Sequence, residues 1–312
     1  MTFARTTMRA VSTDKDEYAR KAQQYKSKAE QLSVKSSSSS YTNASILNTR
    51  QEIKLTFRAA ESFRISGQRF DSASSYAKTA SLFVEALHDP HKGAELYTEA
   101  AATAEHVDSS FANEYYRKAI TNHCDSQDYD KAAMLEERIG NKYTQNKDYE
   151  LAIDNYKRAS MLYAAANNLD SADRVLERAA YMLAKVGKIS DAAYTYQQLA
   201  LSYSKQNLKK FNVPVIMLKA GILLLSDCLG QQKELDFSEV RDMMEEIYKL
   251  DCRFGESSEH KFLVDMIQCI VKSDLDQFAD YLFWYNSIAE FDDITLLALE
   301  TIKDTITERS KM

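Results

Sequence analysis

Few residues in this chain are spaced for covalent chemistry. His88 and His91 stand three apart around Asp89 and Pro90. That spacing could seed a metal site, but a solvated turn around Pro90 is the better reading of the same residues. His123 and Cys124 are adjacent, and neighbours on a helix project about 100° apart, so they do not form a base and nucleophile. The acid pairs Glu136/Glu137 and Glu245/Glu246 read as solvated faces rather than general acid–base pairs. Tyr281, Phe283, Trp284 and Tyr285 gather aromatic surface that reads better as terminal core than as a ligand box. Cys124, Cys228, Cys252 and Cys269 show no CxxC spacing, and neither GxGxxG nor GxxxxGK is present. No catalytic constellation is found, so the chain is expected not to be an enzyme and to need no cofactor, metal or nucleic acid.

The elements that carry these side chains are legible. In 312 residues there are 7 glycines and 2 prolines, with 45% hydrophobic and 28% charged residues. So few breakers in a globular composition predict an all-α chain, because sheets need turn residues that are missing here. Small residues recur in pairs seven positions apart: Ala73/Ala80, Gly93/Ala100, Ala112/Ala119, Ala133/Gly140, Ala152/Ala159, Ala172/Ala179 and Ala193/Ala200. Seven residues is about two helical turns, so both members of a pair share a face and let neighbouring backbones approach. Asp71, Asp130, Asp170 and Asp191 open their units, which suits the helix dipole.

Each unit is one helix and a turn, and two units make a hairpin of about 40 residues that must stack to bury its apolar faces. Helices are predicted over 14–33 and 46–66, separated by the run Ser36–Ser40. After Lys210 the pattern changes to larger apolar residues, with helical pieces over 237–250, 259–272, 274–287 and 291–308. The expectation is a right-handed superhelical solenoid of tetratricopeptide-like hairpins over 14–210, with a loop at 34–47. Residues 211–312 are expected to form a helical bundle that caps it, and 1–13 to be disordered.

Charge is polarised. Residues 1–60 hold 11 Lys/Arg against 5 Asp/Glu, net +6, and residues 226–312 hold 9 against 20, net −11. Such a distribution suggests different partners at the two ends. The longest apolar stretch, Val213 to Leu225, is broken by Lys219 and reads as too short to span a bilayer. With unpaired cysteines and no evident signal segment, a cytoplasmic protein is expected.

Hairpins near 40 residues with a helical C-terminal bundle resemble the soluble NSF attachment proteins. SADRVLERAAYMLAKVGKISDAAYTYQQLA (171–200) is similar to that family's central repeat, YKRASMLYAAANNLDSA (156–172) to the preceding one, and DLDQFADYLFWYNSIAEFDDITLLALETIKDTI (274–306) to its terminal helices. The resemblance implies a non-enzymatic adaptor, peripheral on membranes, in vesicle fusion and intracellular transport such as ER–Golgi traffic. It would bind the SNARE four-helix complex (syntaxin-like) through a basic concave face and recruit an NSF-type ATPase through its C-terminal domain.

By the same resemblance Arg174 and Arg178 match basic SNARE-binding positions, with Lys209 and Lys210 close to another. Asp128 and Met134 stand where the family is basic. The family's membrane loop maps to 34–47. Its paired phenylalanines are absent, leaving Val34, Tyr41, Ile46 and Leu47 to make a weak contact with an anionic membrane surface. The ATPase-contact positions hold Gln268, Val271 and Lys272, none of them acidic. Asp274, Asp276 and Asp280, then Asp304 and Glu308, are the nearest acids. Two other readings stand beside the adaptor: a SNARE-binding antagonist or mimic with poor ATPase recruitment, and a general tetratricopeptide-like scaffold.

Overall fold

A computed structural model describes residues 2–37, 43–230, 237–250 and 252–311. Among the described residues the regular structure is helical throughout. The chain divides into two compact units, residues 1–136 and 137–312. Unit 1 holds α1 (Thr2–Ser37), α2 (Asn43–Ser66), α3 (Arg69–Leu87), α4 (Pro90–Ala104), α5 (Ser109–Asp125) and the start of α6 (Tyr129–Gln145). Unit 2 holds the rest of α6, then α7 (Tyr149–Ala165), α8 (Leu169–Lys185), α9 (Ile189–Ser204), α10 (Val213–Gly230), α11 (Ser238–Leu250), α12 (Ser258–Lys272), α13 (Leu275–Asn286) and α14 (Asp293–Arg309).

Within each unit successive helices pack on one another: α1 to α5 in order in unit 1, and α7 to α10 in order in unit 2. The paired small residues explain the close approach. Ala80, Ala112, Ala119, Ala152, Ala159 and Ala200 are all fully buried. At two of these positions no Cβ is tolerated without movement. A methyl on Gly93 would lie 2.2 Å from Val84 Cγ2, and one on Gly140 would lie 2.9 Å from the Tyr156 ring. Tyr76, Tyr116, Tyr156 and Tyr196 fill the space between the pairs and are almost wholly buried.

The turns repeat as regularly as the helices. Gly67, Gln127, Lys147, Asn167 and Gly187 all have left-handed backbone, with φ between 61° and 84°. Each closes its helix with the same two bonds; at Lys147 they are Lys147 N–H to Thr144 O (3.1 Å) and Asp148 N–H to Tyr143 O (2.9 Å). This is the Schellman arrangement, which satisfies carbonyls the helix end leaves open. Asp71, Asp130, Asp170 and Asp191 lie in the first turns of α3, α6, α8 and α9, as their spacing predicts.

Three expectations change. Helix α1 starts at Thr2, so helix covers residues expected to be disordered. The loop expected over 34–47 is shortened from both sides, since α1 runs to Ser37 and α2 begins at Asn43. A boundary at residue 210 does not separate the compact units. One apolar core in unit 2 runs from Ile153 through Tyr196 and Leu223 to Ile302 and Ile306, joining repeat helices to the C-terminal bundle.

Helix α10 is the centre of that core, packed by α9, α11, α12 and α14. Taken as Lys210–Gly230, its segment has the length and hydropathy of a membrane span, and 67% of that window is buried inside the protein. Lys219, near its middle, meets Asp292 at 2.8 Å. Burial opposes ionisation of Asp292, but Lys219 and the N–H and hydroxyl of Thr295 outweigh it and hold the carboxyl below its usual range.

Candidate interaction surfaces

The arginines expected to bind a partner lie on α8 and turn toward α6. Arg174 grips Glu137 with both arms of its guanidinium, at 2.6 and 2.9 Å. Arg178 reaches the same carboxylate and Asn141 Oδ1, each at 3.1 Å. Tyr163 adds an O–H donor to Glu137 at 3.0 Å. Spacing by four on α8 places both cations over one acid. Glu137 is largely buried, while each arginine side chain is nearly half exposed. The Arg174 guanidinium holds the Glu137 carboxyl below its usual range, against burial and with help from Tyr163. Two cations over one anion leave one net positive charge facing outward. The cluster is thus a pre-oriented pair rather than two unengaged cations, and sequence spacing alone gave no sign of Glu137 beneath it.

Lys209 and Lys210 are also engaged. Lys209 sits 2.7 Å from Asp170 and 2.8 Å from Asp173, and Lys210 lies over the Phe211 ring at 5.8 Å.

In unit 1 the charged residues converge between α4 and α6. Asp128 Oδ2 lies 3.2 Å from His91 Nε2, 3.6 Å from His123 Nδ1 and 3.8 Å from Lys131 Nζ. Glu95 lies 3.4 Å from Lys131. His91 therefore packs beside Asp128 in a polar cluster instead of a purely solvated turn. Among the described residues no group of His, Cys, Asp or Glu is arranged to hold a metal ion. Burial, and the Lys131 cation after it, push the His123 imidazole below its ordinary value, against the pull of Asp128. Beside this cluster lies an open groove of about 810 Å³, whose apolar walls include Phe57, Leu96, Met134 and Leu135. Its rim carries Lys54, Lys92 and Lys131 with Glu95 and Glu99. Sequence reading noted Asp128 and Met134 singly and missed the groove, because its walls come from helices far apart in the chain.

Of the residues expected to meet a membrane, Val34, Ile46 and Leu47 are exposed, Val34 at 71% and Leu47 at 65%. Tyr41 lies outside the described residues.

At the C-terminal end Asp274 caps α13 by accepting the Gln277 N–H at 3.0 Å. Asp276 and Asp280 are exposed on α13, and Asp304 and Glu308 are exposed on α14. Each exposed pair is four apart, so each presents two like charges on one face. Phe283 and Trp284 are exposed as well, which corrects their reading as core; of that cluster only Tyr285 is buried, against Phe262 and Phe291.

Residues 13–307 match the family model described as soluble NSF attachment protein, SNAP. The chain belongs to the soluble NSF attachment protein family. Its relatives are distant but nearly full-length. A probable vesicular-fusion protein sec17 homolog of Schizosaccharomyces pombe is 25% identical over 256 residues, covering 82% of this chain and 86% of the relative. The alpha-soluble NSF attachment protein of Vitis vinifera is 21% identical over 249 residues, with 80% and 83% covered. That of Mus musculus is 23% identical over 250 residues, with 80% and 82% covered. A family match over nearly the whole chain accounts for repeat helices and C-terminal bundle alike.

Proposed function

We propose that this protein is a non-enzymatic adaptor that engages SNARE four-helix complexes and recruits an NSF-type ATPase to take them apart in vesicle fusion. The observation that carries the reading is family membership from residue 13 to residue 307. The arginine cluster supports it. Arg174 and Arg178 are held by Glu137 and their side chains are nearly half exposed. An incoming acidic side chain can share guanidinium donors that are already ordered, which reduces the entropy lost on binding. The anionic end around Asp276, Asp280, Asp304 and Glu308 supplies a surface for a basic partner, and such complementarity acts mainly on encounter and register.

The test is capture of a preassembled SNARE bundle by the wild-type chain and by Arg174→Glu/Arg178→Glu. Reversal places two carboxylates around Glu137, so binding at low salt should fall several-fold. Equal capture by both proteins removes the cluster from the binding face.

One observation favours a second reading. The positions matching the family's acidic ATPase contact are Gln268, Val271 and Lys272, and Val271 stands exposed. A chain that binds the bundle but recruits the ATPase poorly would act as an antagonist, and it would leave the bundle intact in the presence of ATPase and ATP.

A further inference from the structure

Two histidines and a lysine converge on one carboxylate beside the groove of unit 1. Asp128, in the turn between α5 and α6, presents the same oxygen to all three: Oδ2 lies 3.2 Å from His91 Nε2, 3.6 Å from His123 Nδ1 and 3.8 Å from Lys131 Nζ. Glu95, one turn along α4 from His91, lies 3.9 Å from His91 Nδ1 and 3.4 Å from Lys131 Nζ. Asp128 Oδ2 and His123 Nδ1 are both buried, and neither closes a hydrogen bond. His91 thus has an acid on each ring nitrogen. A neutral imidazole carries one N–H and can donate to only one of them, whereas the charged form donates to Asp128 through Nε2 and to Glu95 through Nδ1. A charged His123 faces Asp128 in the same way, as a counter-ion at a buried position.

The other charges come from every element around the groove. α2 brings Lys54, α4 brings Lys92 and Glu99, α6 brings Lys131, and the wall supplied by α3 is the apolar Phe83. Asp89, just before α4, holds Lys92 at 3.5 Å. With both histidines neutral, these three lysines stand against four carboxylates, Asp89, Glu95, Glu99 and Asp128, which leaves one net negative charge. Two added protons reverse it to one net positive charge. Lys131 then has fewer uncompensated acids to neutralise and adds to a cationic wall. Burial and Lys131 oppose a proton on His123, and an anion arriving in the groove offsets that opposition. Protons and anion therefore favour each other's binding to the same degree. The arginine cluster of unit 2 cannot respond in this way, because guanidinium groups stay charged and Glu137 is held below its usual range.

We propose that His91, His123 and Asp128 form a proton switch on the groove of unit 1, which disfavours an acidic protein surface at neutral pH and admits one as the pH falls toward 6. The proposal rests on the adaptor reading, which supplies the SNARE bundle as that acidic surface, and adds regulation to it. Asp128, which stands where the family resemblance implies a basic residue, makes this part of the face conditional on protons.

The test measures affinity of the full-length chain for a preassembled SNARE bundle at low salt, at pH 7.5 and pH 6.0. Wild-type affinity should rise several-fold at the lower pH. Asp128→Asn removes one of the four acids, so it should bind several-fold more tightly than wild type at pH 7.5 and keep little of the pH dependence. His91→Gln, at a half-exposed position, should flatten the dependence in part, with the helical circular dichroism unchanged. In the free protein, the imidazole NMR signal of His123 should titrate at lower pH in Asp128→Asn than in wild type, because the pull of the carboxylate is gone. Wild-type pH dependence in both variants, or a His123 titration that does not move, overturns the proposal. Wild-type binding that is equal at the two pH values overturns the switch and leaves the adaptor reading standing. Absence of binding by all three proteins at both pH values contradicts the adaptor reading and the switch together.

Discussion

At the scale of single residues, the surface chemistry turns on which charges already have partners. Arg174 and Arg178 were legible as a cationic pair because four residues separate them on a helix. Glu137 was not, since its pairing comes from another helix 37 residues away from Arg174. Glu137→Gln keeps the shape and removes the charge that competes with an incoming acid. SNARE-bundle affinity should rise several-fold at low salt, with the gain fading as salt screens the field; an affinity indifferent to both substitution and salt would count against a role for this cluster. His123 gives a second residue-scale outcome. Its folded value lies below the ordinary one near 6.5 because of burial and Lys131. The unfolded chain therefore takes up the proton first, and stability falls as pH drops through the range just below about 6.5. Urea unfolding at pH 7.5 and 5.5 should show this loss, and His123→Gln should lessen it. An identical pH dependence in the variant would show that other groups are responsible.

At the scale of elements, the helices were readable because paired small residues and helical apolar spacing state the same period twice. α11, α12, α13 and α14 fall within two residues of the predicted spans. The turns were harder to read, since only Gly67 and Gly187 announce a left-handed residue while Gln127, Lys147 and Asn167 adopt it without glycine. There the closing bonds and the packed helices on either side decide the backbone, against the local steric preference of the side chain. At Lys147, exposed and with φ of 67°, glycine removes the clash of a Cβ in that conformation. Lys147→Gly should stabilise unit 2 by about 1 kcal/mol, read as a higher urea midpoint; a lower midpoint would mean that the lysine side chain contributes more than its strain costs. The change in composition near residue 210 does not mark the end of a core. Composition changes there, but Tyr196 and Leu199 of α9 pack into the same core as α10 and α14, and a shift in residue type does not end a core.

At the scale of the whole molecule, family membership joins a basic beginning and an acidic end in one adaptor, and its distance from relatives, 21–25% identical in the three described, explains why the partner sites are the less legible part. On the proposed reading, Gln268, Val271 and Lys272 stand where the family resemblance implies acids, and recruitment of the ATPase would draw on acids elsewhere. Neutralising Asp274, Asp276 and Asp280 together, as Asn, should lower recruitment of the ATPase to a SNARE-bound complex while binding of the bundle itself is kept. Recruitment unaffected by the triple change would move the contact to other residues, with Asp304 and Glu308 next in line. The most direct measurement is ATP-dependent disassembly of a preassembled SNARE bundle by a purified NSF-type ATPase, with and without this protein. Adaptor function predicts that disassembly starts only when the protein is added and grows with its concentration until the bundle is saturated. A bundle that binds the protein yet stays intact, with ATPase and ATP in excess, would contradict it.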